Sequence, residues 1–269
     1  NPMAIVILRH ARFAGENGAF RIEKNALHIW PRGQYMLIAL PNPDGSFTCT
    51  LFFPFEGENS FESLQSEWAV RAFFEQQFPD AVPLMPTLTD DFFSNPTGAL
   101  VTVRCFPWQV EGRVALLGDA AHAIVPFFGQ GMNCAFEDCT VLNACLDRHG
   151  DDWEKVFADY EKQRKTNADA IADLALANFI EMRDHVADPK FVLKKEVELA
   201  LERRFPGRFI PKYSMVTFHR IPYAVAQQRG RQQEKILEQL CEQITGVGEI
   251  DWALAEKLVT ALAPLELER

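Results

Sequence analysis

No stretch of this 269-residue chain approaches the ~18 apolar residues that a helix needs to span a bilayer, so no membrane segment is expected. A surplus of positive charge is lacking too: 27 Lys+Arg stand against 37 Asp+Glu, a formal net charge of −10. Grip on a nucleic-acid backbone requires a basic face, so no nucleic-acid partner is expected. Net charge does not bear on a local basic pocket for a small anion. The six cysteines include no CxxC pair, and Cys134, Cys139 and Cys145 fall at spacings of five and six. Common zinc sites bring two thiolates together through a much shorter hairpin. No metal is expected, and the thiols read as structural or free, which fits a reducing, cytoplasmic setting. The apolar run Ile5-Val-Ile-Leu8 is too short for a secretory signal and is followed by no small-residue cleavage site. Internal repeats, low-complexity stretches and linkers are also missing.

What is present is buriable surface. Apolar residues make up 48% of the chain, with 22 Phe and 5 Trp, far more than a solvated chain carries. The length suffices for one large domain or two smaller ones. Residues 26–118 read mostly as β. The runs Ala26–Trp30, Gln34–Leu40 and Ser46–Phe53 are separated by the turn signals Pro31-Arg-Gly33 and Pro41-Asn-Pro-Asp-Gly45, which implies an antiparallel meander. Tyr35, Leu37 and Ala39 alternate with Met36, Ile38 and Leu40, and both sets are apolar. Such a sheet is covered on both faces, or one face lines a pocket. A helix is expected from about Phe61 to Phe78, ended by Pro79, with strands over Ala99–Cys105 and Arg113–Gly118. From Gln130 onward the pattern is helical. Met132, Ala135, Phe136, Cys139, Leu142 and Leu146 predict one buried stripe, and further helices are expected over 152–184, 189–205, 219–241 and 251–262. The runs Arg203-Arg204 and Arg229-Gly-Arg231 read as solvated faces.

The segment richest in chemical meaning is Arg113-Val-Ala-Leu-Leu-Gly-Asp119-Ala-Ala-His122-Ala-Ile-Val-Pro126-Phe-Phe-Gly129-Gln-Gly131-Met-Asn133. It reads as a buried strand whose carboxyl edge is Gly118-Asp119, the place where open α/β sheets bind ligands. A carboxylate there accepts hydrogen bonds from a diol such as a ribose. Pro126 to Gly131 puts two glycines before a long helix, whose first N–H groups and partial positive charge suit an anion or the electron-rich edge of a heteroaromatic ring. Gly-Asp alone is an ordinary strand end and Gly-Gln-Gly alone an ordinary helix entry; their joint spacing is what carries specificity. His122 reads as a hydrogen-bonded helix residue rather than a base.

That run, followed by Phe136-Glu-Asp-Cys139, resembles the second flavin-contacting motif of the FAD-dependent aromatic hydroxylases, most of all their kynurenine-hydroxylating branch. The similarity extends to Asn25–Pro31, Pro96-Thr-Gly98, Asn178–Met182 and Arg208–Phe218, and covers roughly residues 19–262. It implies an α+β fold: an antiparallel substrate-domain sheet over 1–112, the C-terminal part of an FAD-binding α/β domain over 113–150, and a C-terminal helical region over 151–269. The implied activity is hydroxylation of L-kynurenine to 3-hydroxykynurenine, with FAD as cofactor and NADPH and O2 as co-substrates. The flavin carries the chemistry, so no catalytic side chain is implied. By the same resemblance Asp119 meets the FAD ribose, and Met132 and Asn133 meet the flavin ring. Pro126, Phe127, Gly129, Gln130 and Gly131 shape the face where oxygen and substrate meet. Asn178 and Tyr213 bond the amino-acid end of kynurenine, and Leu27, Met36, Ile38, Phe52 and Met182 wall its ring. Each has a plainer reading: Met36, Ile38 and Phe52 as core, Asn178 as a solvated helix residue, Tyr213 as part of a structural crossing.

The departures are equally specific. No GxGxxG turn for the FAD pyrophosphate is present, the nearest pair being Gly15 and Gly18, and the family's Asp-Gly segment and its substrate-carboxylate arginine are absent. Residues 1–18 match nothing in the family, and Ile5–Arg12 reads as one strand and a turn. The expectation is therefore a C-terminal portion of such a hydroxylase, partnered by a missing N-terminal half or by a second copy. Two other readings stay open: a related hydroxylase with another substrate, and a non-catalytic remnant that binds a kynurenine-like ligand or a partner chain.

Overall fold

The computed structural model describes residues 3–11, 20–185 and 188–265; Arg12, Gly15 and Gly18 lie outside them. Backbone packing divides the chain into two units, Asn1–Leu100 with Glu181–Val186, and Val101–Ile180 with Ala187–Arg269.

The first unit is built on an antiparallel sheet of strands β1 (Met3–Ala11), β2 (His28–Pro31), β3 (Met36–Pro41), β4 (Phe47–Pro54) and β5 (Thr97–Ala99), in the order β2-β3-β4-β1-β5. The expected meander is β2-β3-β4. Its second turn closes where Gly45 takes φ +84° and the Asp44 carboxylate accepts from Ser46 N at 2.9 Å. The strand anticipated near Ile5–Leu8 is β1, paired with β4 on one side and β5 on the other.

Alternation along β3 and β4 splits the apolar residues between two faces, as the sequence pattern requires. Tyr35, Leu37, Cys49, Leu51 and Phe53 pack with Val70, Phe73 and Phe74 of helix α1 (Glu67–Gln77) and with Leu88 and Phe92 of α2 (Leu88–Ser94). The rings meet edge to face, Tyr35 on Phe53 at 5.1 Å and Phe53 on Phe61 at 5.3 Å. Such pairs add about 0.5–1.5 kcal/mol each beyond burial. On the opposite face Met36, Ile38 and Phe52 are also buried, with Met36 directly opposite Phe52. The single helix expected over 61–78 is interrupted: Phe61–Ser63 forms a 3-10 turn, and α1 begins only after Ser66, whose hydroxyl accepts from Ala69 N. An N-cap serine is a stronger start signal than the apolar spacing that runs through it. Helix α2 was not anticipated.

The second unit begins with two corrections. The strand expected over Ala99–Cys105 stops at Ala99; beyond it Val103 N and Cys105 N donate not to a strand but to Ala123 O and Ala121 O, in and just after the short helix Asp119–His122. The buried strand expected over Arg113–Gly118 is a two-residue hairpin arm, β7 (Val114–Ala115), paired with β6 (Gln109–Val110), and Val114 is exposed. Leu116 and Leu117 leave the strand to pack beside Trp108 and Tyr160. An apolar run has strand propensity, but a tight turn at Gly112 (φ +63°) leaves it one short partner.

Helices follow: α3 (Asp119–His122), α4 (Gly131–His149), α5 (Trp153–Ile180), α6 (Pro189–Arg204), α7 (Lys212–Thr217), α8 (Tyr223–Leu240) and α9 (Trp252–Thr260). Five of these, α4, α5, α6, α8 and α9, lie where helices were expected, and α5 runs on into a π-helical turn, Glu181–His185, of the first unit. Helix α7 falls in the stretch read as a crossing. The stripe predicted on α4 is wrong: Met132 and Phe136 are 67% and 63% exposed, and the buried line is Cys134, Asp138 and Cys145. That line carries a carboxylate, which apolar periodicity does not count as core. Arg229 corrects the reading of Arg229-Gly-Arg231 as solvated. It is 5% exposed, on the inner face of α8 with Ala226 and Gln233, and donates to Ala263 O, whereas Arg231, Arg203 and Arg204 are exposed. Among the described residues no helix is long and apolar enough to cross a membrane.

Candidate functional site

Along the segment from Gly118 to Asn133, Asp119, Pro126, Gly129, Met132 and Asn133 are exposed while His122, Phe127, Phe128 and Gln130 are buried. Gly118 sits at φ +57°, ψ −138°, a conformation open to glycine, and releases the chain into α3, whose first residue, Asp119, is exposed. Pro126 opens a 3-10 turn that Gly129 ends at φ +66°; Gln130 then caps α4. Gly131 is half-buried. The Gln130 side chain points inward, where its Oε1 accepts from Asn133 Nδ2 at 3.1 Å and from the Tyr223 hydroxyl at 3.0 Å. It anchors the turn from behind while the glycines flank it. No side chain caps α4 at Gln130. The first-turn N–H groups of Gly131, Met132 and Asn133 therefore have no helical acceptor and sit at the positive end of a 19-residue helix. An exposed carboxylate for a diol and uncapped N–H groups for an acceptor-rich ring edge both fit FAD.

Beneath this edge lies a polar network that the sequence reading missed apart from His122. Asp138, fully buried on α4, accepts through Oδ2 from Gly118 N at 3.1 Å and from His122 Nε2 at 2.5 Å, and through Oδ1 from Arg164 Nε at 2.6 Å. Arg164 also donates to Cys134 O at 3.2 Å and pairs with Glu137 at 2.7 Å. His122 packs on Trp108 at 5.2 Å. Burial by itself drives a carboxyl up; the hydrogen bonds from His122 and Arg164 overcome it and hold Asp138 below the usual carboxylate range. Burial likewise opposes the imidazolium of His122, and the hydrogen bond to Asp138 overcomes it, carrying His122 up to about 10. Burial pushes the Tyr160 and Tyr223 phenols up. Ligand atoms of His122, Cys134 and Asp138 lie within 4.8 Å of one another. The guanidinium of Arg164, bonded to Asp138 and 3.3 Å from Cys134 Sγ, already fills the cationic role there, so the cluster is an ion-pair network rather than a metal centre. All six cysteines are free thiols.

The residues expected to meet the substrate fall in two groups. In the second unit Asn178, 7% exposed, donates to Phe127 O at 2.9 Å, and the Phe127 ring lies 4.5 Å from Phe179. Tyr213 of α7, half-exposed, stacks on Phe128 at 5.5 Å. In the first unit Met36, Ile38 and Phe52 share one sheet face, Met182 is buried in the π-helical turn that packs against β2, and Leu27 is exposed just before that strand. Arg164 and Tyr223 had no signal in the sequence beyond being polar residues at inward helical spacings, and Asp138 stood in the Phe136-Glu-Asp-Cys139 motif without a role read for it.

A family model described as an FAD binding domain matches residues 99–175. A protein of Myxococcus xanthus (strain DK1622) named kynurenine 3-monooxygenase is 54% identical over 246 residues, 91% of this chain and 53% of that protein. One of the same name from Dictyostelium discoideum is 49% identical over 260 residues, 91% of this chain and 56% of its own length. Among solved structures, the tetrameric form of 2-methyl-3-hydroxypyridine-5-carboxylic acid oxygenase superposes with a TM-score of 0.53 at 21% identity, covering 71% of this chain and 50% of that one, which supports the fold. The chain spans about half the length of the curated relatives it matches. The resemblance read from the sequence is borne out: over that half, this chain is a homologue of the flavin-dependent hydroxylases named kynurenine 3-monooxygenase.

Proposed function

We propose that the chain forms part of an FAD-dependent monooxygenase that hydroxylates L-kynurenine to 3-hydroxykynurenine with NADPH and O2. The observation that carries this reading is the 54% identity to a protein named for that activity, joined to an exposed Gly118–Asn133 edge that fits the cofactor. The flavin, when bound, supplies the electron transfer and oxygen activation that side chains lack. Asp119 would accept from its ribose hydroxyls, and the N–H groups of Met132 and Asn133 would meet its ring, with Pro126, Gly129, Gln130 and Gly131 shaping the approach. In the second unit Asn178, Tyr213 and Phe127 would hold the amino-acid end of the substrate. In the first, Leu27, Met36, Ile38, Phe52 and Met182 would contact its aromatic ring. Apolar walls of this kind orient a ring and exclude water. A cytoplasmic setting belongs to the same proposal and rests on the six free thiols. The readings as a remnant or as a hydroxylase of another substrate are not favoured by these relatives.

The test is a titration of the 269-residue chain with FAD, followed by quenching of flavin fluorescence. Saturable binding that weakens in Asp119→Ala supports the assignment, and kynurenine-stimulated NADPH oxidation is then the activity assay. Binding unaffected by Asp119→Ala removes Asp119 from the site.

A further inference from the structure

The two groups proposed to meet FAD, the Asp119 carboxylate and the first turn of α4, belong to different elements, with the eleven residues 120–130 between Asp119 and Gly131. A ligand that touches both binds well only if their separation is held, because a loop free to move must be ordered on binding. Among the described residues, Asp138 spans them. Asp138 belongs to α4, two turns in from Met132, and its Oδ2 takes the backbone N–H of Gly118, the residue before Asp119. The same oxygen takes His122 Nε2 at the far end of α3, so both ends of the four-residue segment 119–122 are tied to one carboxylate. Asp138 is in turn held by Arg164 of α5, which also bonds Cys134 O in the first turns of α4. On the other side of Gly118, a side chain at its Cα would come 3.4 Å from Ala135 Cβ, so the backbone here lies directly against α4. Asp138 and His122 are almost wholly buried and Asp119 is exposed, so the network sits behind the binding edge and does not itself meet a ligand.

We propose that Asp138 is a positioning residue for the cofactor: it fixes the Asp119 carboxylate relative to the uncapped N–H groups of α4. The inference rests on the FAD reading of that edge. Its reach into sequence is specific, because it assigns a role to a carboxylate that meets neither cofactor nor substrate. A neutral amide at position 138 keeps the size but cannot accept from both Gly118 N–H and His122 while also pairing with Arg164.

The experiment is a double-mutant cycle on FAD affinity in the 269-residue chain with Asp119→Ala and Asp138→Asn, together with amide hydrogen exchange at Gly118 and Asp119. Asp138→Asn is expected to weaken FAD roughly 10-fold or more, the scale on which outer partners of a ligand-holding group act, and to add little once Asp119 is alanine. Additive losses overturn the proposal, since a general structural defect would weaken FAD in both backgrounds alike. In the unaltered chain the Gly118 amide is expected to exchange as slowly as the interior of α4. Exchange at the rate of an open loop overturns the proposal without any variant having to fold. Failure of the unaltered chain to bind FAD counts against the cofactor reading, while the exchange measurement still decides whether Asp138 holds the Asp119 turn.

Discussion

Replacing Arg164 with methionine is the sharpest perturbation of the second unit. The guanidinium is 1% exposed and holds the fully buried Asp138 carboxylate through Nε at 2.6 Å. Methionine fills much of the volume, so the cost is mainly electrostatic: Asp138 Oδ1 loses its partner inside the protein, and Cys134 O loses a donor. Breaking a buried pair by removing one member costs about 3–5 kcal/mol. The Glu137 contact contributes little, because its carboxylate is largely in water. A loss of that size is a large fraction of the ~5–15 kcal/mol that holds a domain folded. The assay is equilibrium urea unfolding at neutral pH, read as a shift in midpoint at constant slope. The sign with pH follows from linkage. A carboxylate held below its ordinary value of 3.8 contributes stability that is present above 3.8 and drains away as pH falls through its folded value. The deficit of Arg164→Met is therefore expected to be largest at neutral pH and to narrow as Asp138 protonates. Adding Asp138→Leu is expected to cost less than the sum of the two single changes, by about 1–3 kcal/mol. A loss below about 1 kcal/mol for Arg164→Met, or strict additivity in the pair, would refute the account of the network.

Two further outcomes follow from the same reasoning. His122 is raised from 6.5 to about 10, so its contribution is complete below pH 6.5 and is lost as pH rises from there through 10, at a slope of up to ~1.4 kcal/mol per pH unit. Stability measured across that window is expected to flatten in His122→Gln, and parallel curves for the two proteins would contradict the assigned pairing. In the first unit Phe53→Ala removes a ring that meets Tyr35, Phe61 and Phe73 within 5.3 Å and leaves a void in a closed core. A loss of about 3–5 kcal/mol is expected on thermal or urea unfolding, and a change under ~1 kcal/mol would show that the aromatic cluster is loosely packed.

Much of the layout was legible in the chain. Turn residues at Pro31–Gly33 and Pro41–Gly45 punctuate three β runs, and their spacing alone places β2, β3 and β4 in a meander. The two-sided apolar pattern of Tyr35–Leu40 pointed to a sheet covered on both faces or lining a pocket on one, because alternation is a local property of extended backbone. The local shape of the Gly118–Asn133 segment was legible for a similar reason: Gly118 and Gly129 take positive φ and Asp119 and Asn133 stand exposed, both local properties of the backbone. What sequence could not settle are the places where burial is decided by a distant partner. The stripe expected at Met132 and Phe136 is exposed because the inner face of α4 goes to Cys134 and Asp138, and Asp138 is buried only because Arg164, 26 residues on, and His122 neutralise it there. Arg229 lies inside because a carbonyl at Ala263 accepts from it, and Gln130 turns inward because its Oε1 accepts from the Tyr223 hydroxyl. Local order is written in neighbouring residues, while the burial of charge depends on long-range pairing that only the folded chain supplies.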